Sequence, residues 1–123
     1  MVASFVAPDR GVAPLLSIVE VGRTIAWLGA DGDRTAVWLT GEHDSATVAV
    51  LADALARAIF VDDADLIVDL SAVTFLDAAT IGVLIRGRNI LRTQSRSLTL
   101  RCPQRRASIV IGICGLTGLV EAA

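Results

Sequence analysis

The 123-residue chain has no lysine and no tyrosine, only three Phe and two Trp, one His, three Pro and two Cys. Each shortage excludes something. Two cysteines cannot build a disulfide scaffold, and Cys102 and Cys114 match no zinc spacing. The thirteen acidic side chains outnumber the eleven basic ones, all arginine, and leave a net charge of −2. There is thus no global basic field to gather nucleic-acid phosphates. The longest uncharged stretch, Ala107 to Val120, has 14 residues and three glycines, too short to span a bilayer as a helix. No basic segment leads into an uninterrupted apolar core near the N-terminus, so no secretory signal is read. A reduced, cytoplasmic protein without direct membrane insertion is the expectation.

What is present is aliphatic. Hydrophobic residues make up 54% of the chain and mean hydropathy is +0.64, which excludes wholesale disorder. The length suits one domain. Residues 1–14 read as a loose leader and 15–123 as the domain. Leu15–Val21, Thr24–Leu28 and Thr35–Thr40 carry strand patterns separated by turn signals at Gly22-Arg23 and Asp31-Gly32-Asp33. Val48, Leu51, Ala52, Leu55 and Ile59 share a helical face, with Asp44 or Ser45 as its cap. Leu66–Leu70 is a continuous apolar run, as in a strand buried on both sides.

After a loop at Ser71–Leu76, Asp77 is placed to cap a second helix with Ile81, Leu84, Ile85 and Leu91 inward. Ser97–Cys102 alternates as another strand. Pro103 then opens a third helix, which Gly115 can end in the left-handed conformation. From about residue 35 the order is strand, helix, strand, helix, strand, helix. That alternation predicts an α/β fold with largely parallel strands and right-handed crossovers. Ligands and partners of such sheets meet the carboxyl ends of the strands, which directs attention to Ser71–Thr80. The unpaired amides of a helix start there favour a phosphoryl group, although a plain cap with an ordinary first-turn threonine explains the same residues.

Asp69-Leu-Ser-x-Val-x-Phe-Leu-Asp-x-x-x-Ile-Gly-Val-Leu84 resembles the signature of STAS domains, found in anti-sigma factor antagonists and at the ends of sulfate transporters. Leu39–Asp44 is similar to the family's turn before its first helix, and Pro103–Leu116 to its third helix, which ends in a small residue, Gly, Leu. The resemblance implies a mixed, mostly parallel sheet with helices packed on one side. It also implies a protein that is not an enzyme and has no cofactor: a module of signal transduction and bacterial transcription regulation. Such a module binds a histidine-kinase-like serine kinase that acts as an anti-sigma factor, and so releases a sigma factor. The partner-binding residues implied are Glu42, His43, Asp44, Asp77, Ala78, Ala79, Thr80 and Ile81. The alternative is a cytosolic STAS subunit regulating a membrane transporter.

The family's phosphorylated Ser or Thr stands two positions after the acidic cap and precedes a glycine. Here that position is Ala79, and Thr80 occupies the glycine position. Either Thr80 takes the phosphate or the protein has no phospho-switch. Thr80 lies about 100° further round a helix than Ala79, a poor presentation to a kinase fitted to the usual geometry.

His43, beside Asp44, reads as a loop residue of the partner surface rather than an acid–base catalyst, since no nucleophile is placed with it. Cys102 and Cys114 are a candidate redox pair, with two buried thiols as the alternative. Asp62-Asp63-Ala64-Asp65 reads as a solvated turn, and no metal site is expected. Arg86 and Arg88 are placed to meet an acidic partner or to form a solvated face. Members of the family commonly continue past a stop like Glu121-Ala122-Ala123 into a last strand and helix, so a truncated end is an expectation, and dimerisation is left open.

Overall fold

The structure, a computed structural model, describes residues 14–17 and 25–121. The leader expected over 1–14 lies outside the described residues except for Pro14, which begins β1, and so does the Gly22-Arg23 turn. Five strands form one sheet in the order β1 (Pro14–Ser17), β2 (Ile25–Asp31), β3 (Arg34–His43), β4 (Leu66–Leu76) and β5 (Leu98–Arg101). β1–β2 and β2–β3 pair antiparallel, while β3–β4 and β4–β5 pair parallel. The sheet is therefore mixed, as expected. The β2–β3 hairpin turns at Gly32, whose φ of 64° is easy only for glycine.

Two helices carry the parallel crossovers: α1 (Val48–Val61) between β3 and β4, and α2 (Ala78–Thr93) between β4 and β5. Crossovers of one hand between strands laid down in order place both helices on the same face of the sheet. Alternation does the rest. Val37, Leu39, Leu66, Val68, Leu70, Leu98 and Leu100 point to that face and bury against Leu51, Ala54, Leu55, Ile59, Ile81, Leu84 and Leu91. Within α1 the buried line runs through Ala54 and Ala58, whereas Ala52, assigned to the inner face by sequence, is exposed.

α3 (Arg105–Ile113) follows β5 and packs on β4, burying Ala107 and Ile111. Pro103 precedes its N-cap, Gln104, rather than occupying the first helical turn. Gln104 is drawn outward instead, its Nε2 donating to the Ser71 carbonyl at 2.7 Å. The helix ends as the sequence predicts. Gly115 adopts φ 74°, its N–H donates to the Gly112 carbonyl and that of Leu116 to Ile111, while Leu116 buries beside Ile111. These paired bonds and the apolar contact form a Schellman stop. A Cβ at Gly115 would meet nothing within 4 Å, so only the backbone opposes substitution. Gly115→Ala is expected to cost about 1 kcal/mol, measured as a lower urea midpoint at unchanged slope. A short 3-10 helix, Thr117–Leu119, leads to Val120, which bridges Leu100 in parallel.

Buried polar ties hold the layers in register. The Arg101 guanidinium is largely buried; its Nε donates to Asp69 at 2.9 Å and its Nη1 to Asp31. Asp69 also accepts from the Ser71 N–H and hydroxyl, at 2.9 and 2.6 Å. Arg96 fastens the end of α1: Nη1 donates to the Ile59 carbonyl and Nε to that of Ala64. Its positive charge meets the open carbonyls and negative dipole of the helix end. Asp62, read as part of a solvated turn, accepts from the buried Thr35 hydroxyl at 2.8 Å. Arg96 and Arg101 are therefore structural residues, unlike the exposed Arg86 and Arg92 of α2.

Candidate partner-binding site at the start of the second helix

β3 and β4 both run further than their apolar patterns. β3 continues past Gly41 to His43, and β4 through Ser71 to Leu76, segments that read as a turn and a loop. The register shifts between Trp38 and Thr40 and again between Gly41 and Glu42, the second at a glycine with φ 85°. At both shifts the extra residue lies on β4, which reverses its inside–outside phase and defeats period-two counting there, while β3 keeps its alternation through Gly41 to His43. The extension pairs Glu42 with Phe75 and His43 with Leu76. It places the residues preceding α1 against the residues preceding α2.

The two helix starts are built differently. Asp44 does not cap α1. Its Oδ1 accepts from the Ala46 N–H, and its N–H donates to the Thr47 hydroxyl at 3.0 Å, folding a tight turn before the helix. Thr47 occupies the N-cap position without a side-chain capping bond. Asp77 does cap α2, as expected. Its Oδ1 accepts from both the N–H and the hydroxyl of Thr80, each at 3.0 Å. Its own N–H donates to the His43 carbonyl at 3.2 Å, so the end of β3 fixes where α2 begins.

This junction divides the eight candidate contact residues. Glu42, Ala78 and Ala79 are exposed and Asp44 and Asp77 half-buried, with Ser45 and Phe75 exposed beside them. His43, Thr80 and Ile81 are buried, at 0%, 0% and 2% exposure. Their side chains are closed to solvent and lie beneath that surface. His43 is a correction to the loop reading: once β3 extends, its alternation turns the ring inward. Phe75, 43% exposed and paired with Glu42, belongs to the same surface, although the sequence reads its segment as a loop.

Thr80 is the sharper case. Its hydroxyl lies wholly buried inside the first turn and donates to Asp77 Oδ1. Ala79, at the position matching the family's acceptor, is exposed but carries no nucleophile. Cys102 and Cys114 are free, exposed thiols; they are neither joined nor buried as the alternative had it. Cys102 stands at φ 53° just after β5, and no group of three or more potential metal ligands occurs among the described residues.

Burial pushes the His43 imidazole below its ordinary 6.5, with the Thr40 backbone and the Asp44 charge opposing but not overcoming that effect. Neither ring nitrogen has a well-formed hydrogen bond among the described residues. The unfolded chain therefore binds a proton more readily than the native one. Stability is retained above pH 6.5 and falls as pH drops below it. The slope from this group reaches at most about 1.4 kcal/mol per pH unit. Denaturant titrations of wild type and His43→Met from pH 7.5 to 5 should show the wild type losing stability faster. Parallel curves would remove His43 from this role.

The description "Mlab, STAS domain" belongs to the family profile that matches residues 27–121. The chain belongs to the STAS domain family. No curated protein matches it. Solved structures show where its fold recurs. One is the anti-sigma factor antagonist SpoIIAA in its unphosphorylated form, with a TM-score of 0.70 and 20% identity, covering 80% of this chain and 87% of that one. The phosphorylated form of the Bacillus cell fate determinant SpoIIAA gives 0.63 and 20%, over 80% and 90% of the two chains. An anti-sigma factor antagonist from Mycobacterium paratuberculosis gives 0.69 and 19%, over 96% and 92%. At such identities these likenesses establish a shared STAS fold. Among the described residues of this STAS domain, no helix is long and apolar enough to cross a membrane.

Proposed function

We propose that this STAS domain is an anti-sigma factor antagonist that docks a histidine-kinase-like anti-sigma factor at the α2 start and so frees a sigma factor. The observation that carries the reading is the Asp77-capped end of α2, pinned to β3 through His43 and presenting small side chains at Ala78 and Ala79. Small residues let a partner's backbone approach closely. Glu42, Asp44 and Asp77 give that surface a negative border suited to a basic partner loop.

The finer part of the proposal concerns regulation. With alanine at the acceptor position and the neighbouring hydroxyl buried, the antagonist stays in its binding-competent state whether or not the partner holds ATP. No catalysis is assigned to it, and its place is the cytoplasm where sigma factors act.

The test is titration calorimetry with the purified kinase-like anti-sigma factor of the same organism. Wild type should bind it, and Ala79→Arg, exposed and harmless to the fold, should weaken binding at least tenfold. Equal binding by the two would displace the site from α2. Wild type ignoring the kinase-like protein while copurifying with a permease would overturn the proposal in favour of the transporter-subunit reading.

A further inference from the structure

Charge is divided unevenly along the chain. Residues 31–77 hold ten acidic side chains and two arginines, whereas residues 78–120 hold seven arginines and no acid. Two of those seven, Arg96 and Arg101, are the buried ties described above. The other five are Arg86, Arg88 and Arg92 on α2 and Arg105 and Arg106 on α3; none makes an ion pair among the described residues. No acid stands on either helix to offset them. Positive charge gathered without neutralisation, on a chain whose net charge is −2, calls for an anionic complement.

α3 adds an apolar element to that field. Its inward line is Ala107 and Ile111. At 100° per residue, Ile109 lies about 180° from the middle of that line and Ile113 about 140°. Arg105 and Arg106 fall on either side of the isoleucine pair, so the four residues share an outward arc of about 100°. Ile109 is 53% exposed and Ile113 81%, and both arginines are exposed. The outward face of a surface helix is ordinarily polar. Here it carries two aliphatic side chains between two cations, the composition of a helix lying in a lipid–water interface.

We propose that the outer face of α3 rests on an anionic lipid surface, as a peripheral contact. Ile109 and Ile113 enter the headgroup layer, while Arg105 and Arg106 pair with lipid phosphates beside them. Charge and area choose this occupant together. An acid-free stretch with five unpaired arginines matches a surface that is negative throughout. Two isoleucines fall far short of the roughly 800 Å² per partner that a stable protein interface buries, and a fluid lipid layer needs no matching shape. A nucleic acid would meet the arginines and leave the isoleucines in water. The inference stands apart from the functional reading above, since α3 contributes no residue to that site.

Vesicle co-sedimentation of the full chain at low ionic strength tests it. The vesicles are phosphatidylcholine alone, or phosphatidylcholine mixed with an equal share of phosphatidylglycerol. The proteins are wild type, Ile113→Asp, and the double variant Arg105→Glu with Arg106→Glu, all at exposed positions, with thermal melts to show that each is folded. Wild type should bind the mixed vesicles and not phosphatidylcholine alone, and each variant should bind at least fivefold more weakly. Equal binding to both vesicles overturns the proposal, as does undiminished binding by either variant. If wild type ignores the mixed vesicles but binds a DNA duplex through Arg105 and Arg106, the field serves nucleic acid and the proposal fails. It fails equally if the vesicles are ignored and wild type sediments as a dimer that Ile113→Asp dissociates.

Discussion

Thr80→Glu is expected to remove a large part of the protein's stability, whereas Ala79→Glu is expected to leave the fold intact and remove the partner. The two positions are adjacent in sequence and opposite in environment. Thr80 is wholly buried, with its hydroxyl on Asp77 Oδ1. A carboxylate in its place would be desolvated, oversized and next to a second carboxylate. Such a change costs on the order of 4 kcal/mol, a large part of a small domain's stability. Thr80→Val keeps the shape and loses one hydrogen bond, a cost of about 1 kcal/mol. At Ala79 the glutamate reaches water, and its charge falls on the surface offered to the partner. Chemical denaturation should place Ala79→Glu close to wild type while calorimetry shows binding reduced more than tenfold. If Thr80→Glu proves as stable as wild type, the first turn of α2 is looser than its capping bonds imply.

The second large effect lies at the other side of the sheet. Asp69→Ala is expected to lower stability by about 3 kcal/mol, because it leaves the buried Arg101 guanidinium short of a counter-charge and frees the Ser71 donors. Asp31 remains bonded to Arg101, so the loss should be partial. The matching double variant, Asp69→Ala with Arg101→Met, removes the stranded charge together with its partner. It should recover much of the loss, since most of the penalty is the unpaired cation rather than the missing attraction. Urea unfolding of the three variants measures this directly. A double variant less stable than Asp69→Ala would show that the Asp31–Arg101 pair matters more than the triad's charge balance.

Local chemistry was legible where one residue's side chain decides one geometry. Asp77 as cap and Gly115 as stop were readable because capping needs a short acceptor and a left-handed stop needs glycine. The parallel order of β3, β4 and β5 followed from alternation alone. Period counting does not see the two extra residues in β4, which hide its run from Ser71 to Leu76. His43 reads as a loop residue because Gly41 looks like the end of β3, although the strand runs through it. Burial of Thr80 was half visible: its place 100° from Ala79 was readable, but not which of the two faced the core. Arg96 and Arg101 cannot be told from surface arginines, since the carboxylates and backbone carbonyls they bind are 32 or more residues away along the chain.

On the proposed function, this STAS domain meets its partner with a surface the partner cannot phosphorylate. Intact-mass spectrometry after incubation with the kinase-like anti-sigma factor and ATP tests it most directly, using wild type and Ala79→Ser side by side. The account predicts no phosphoryl group on wild type and one on Ala79→Ser, at the new serine. A phosphoryl group on Thr80 of the wild-type protein would contradict it.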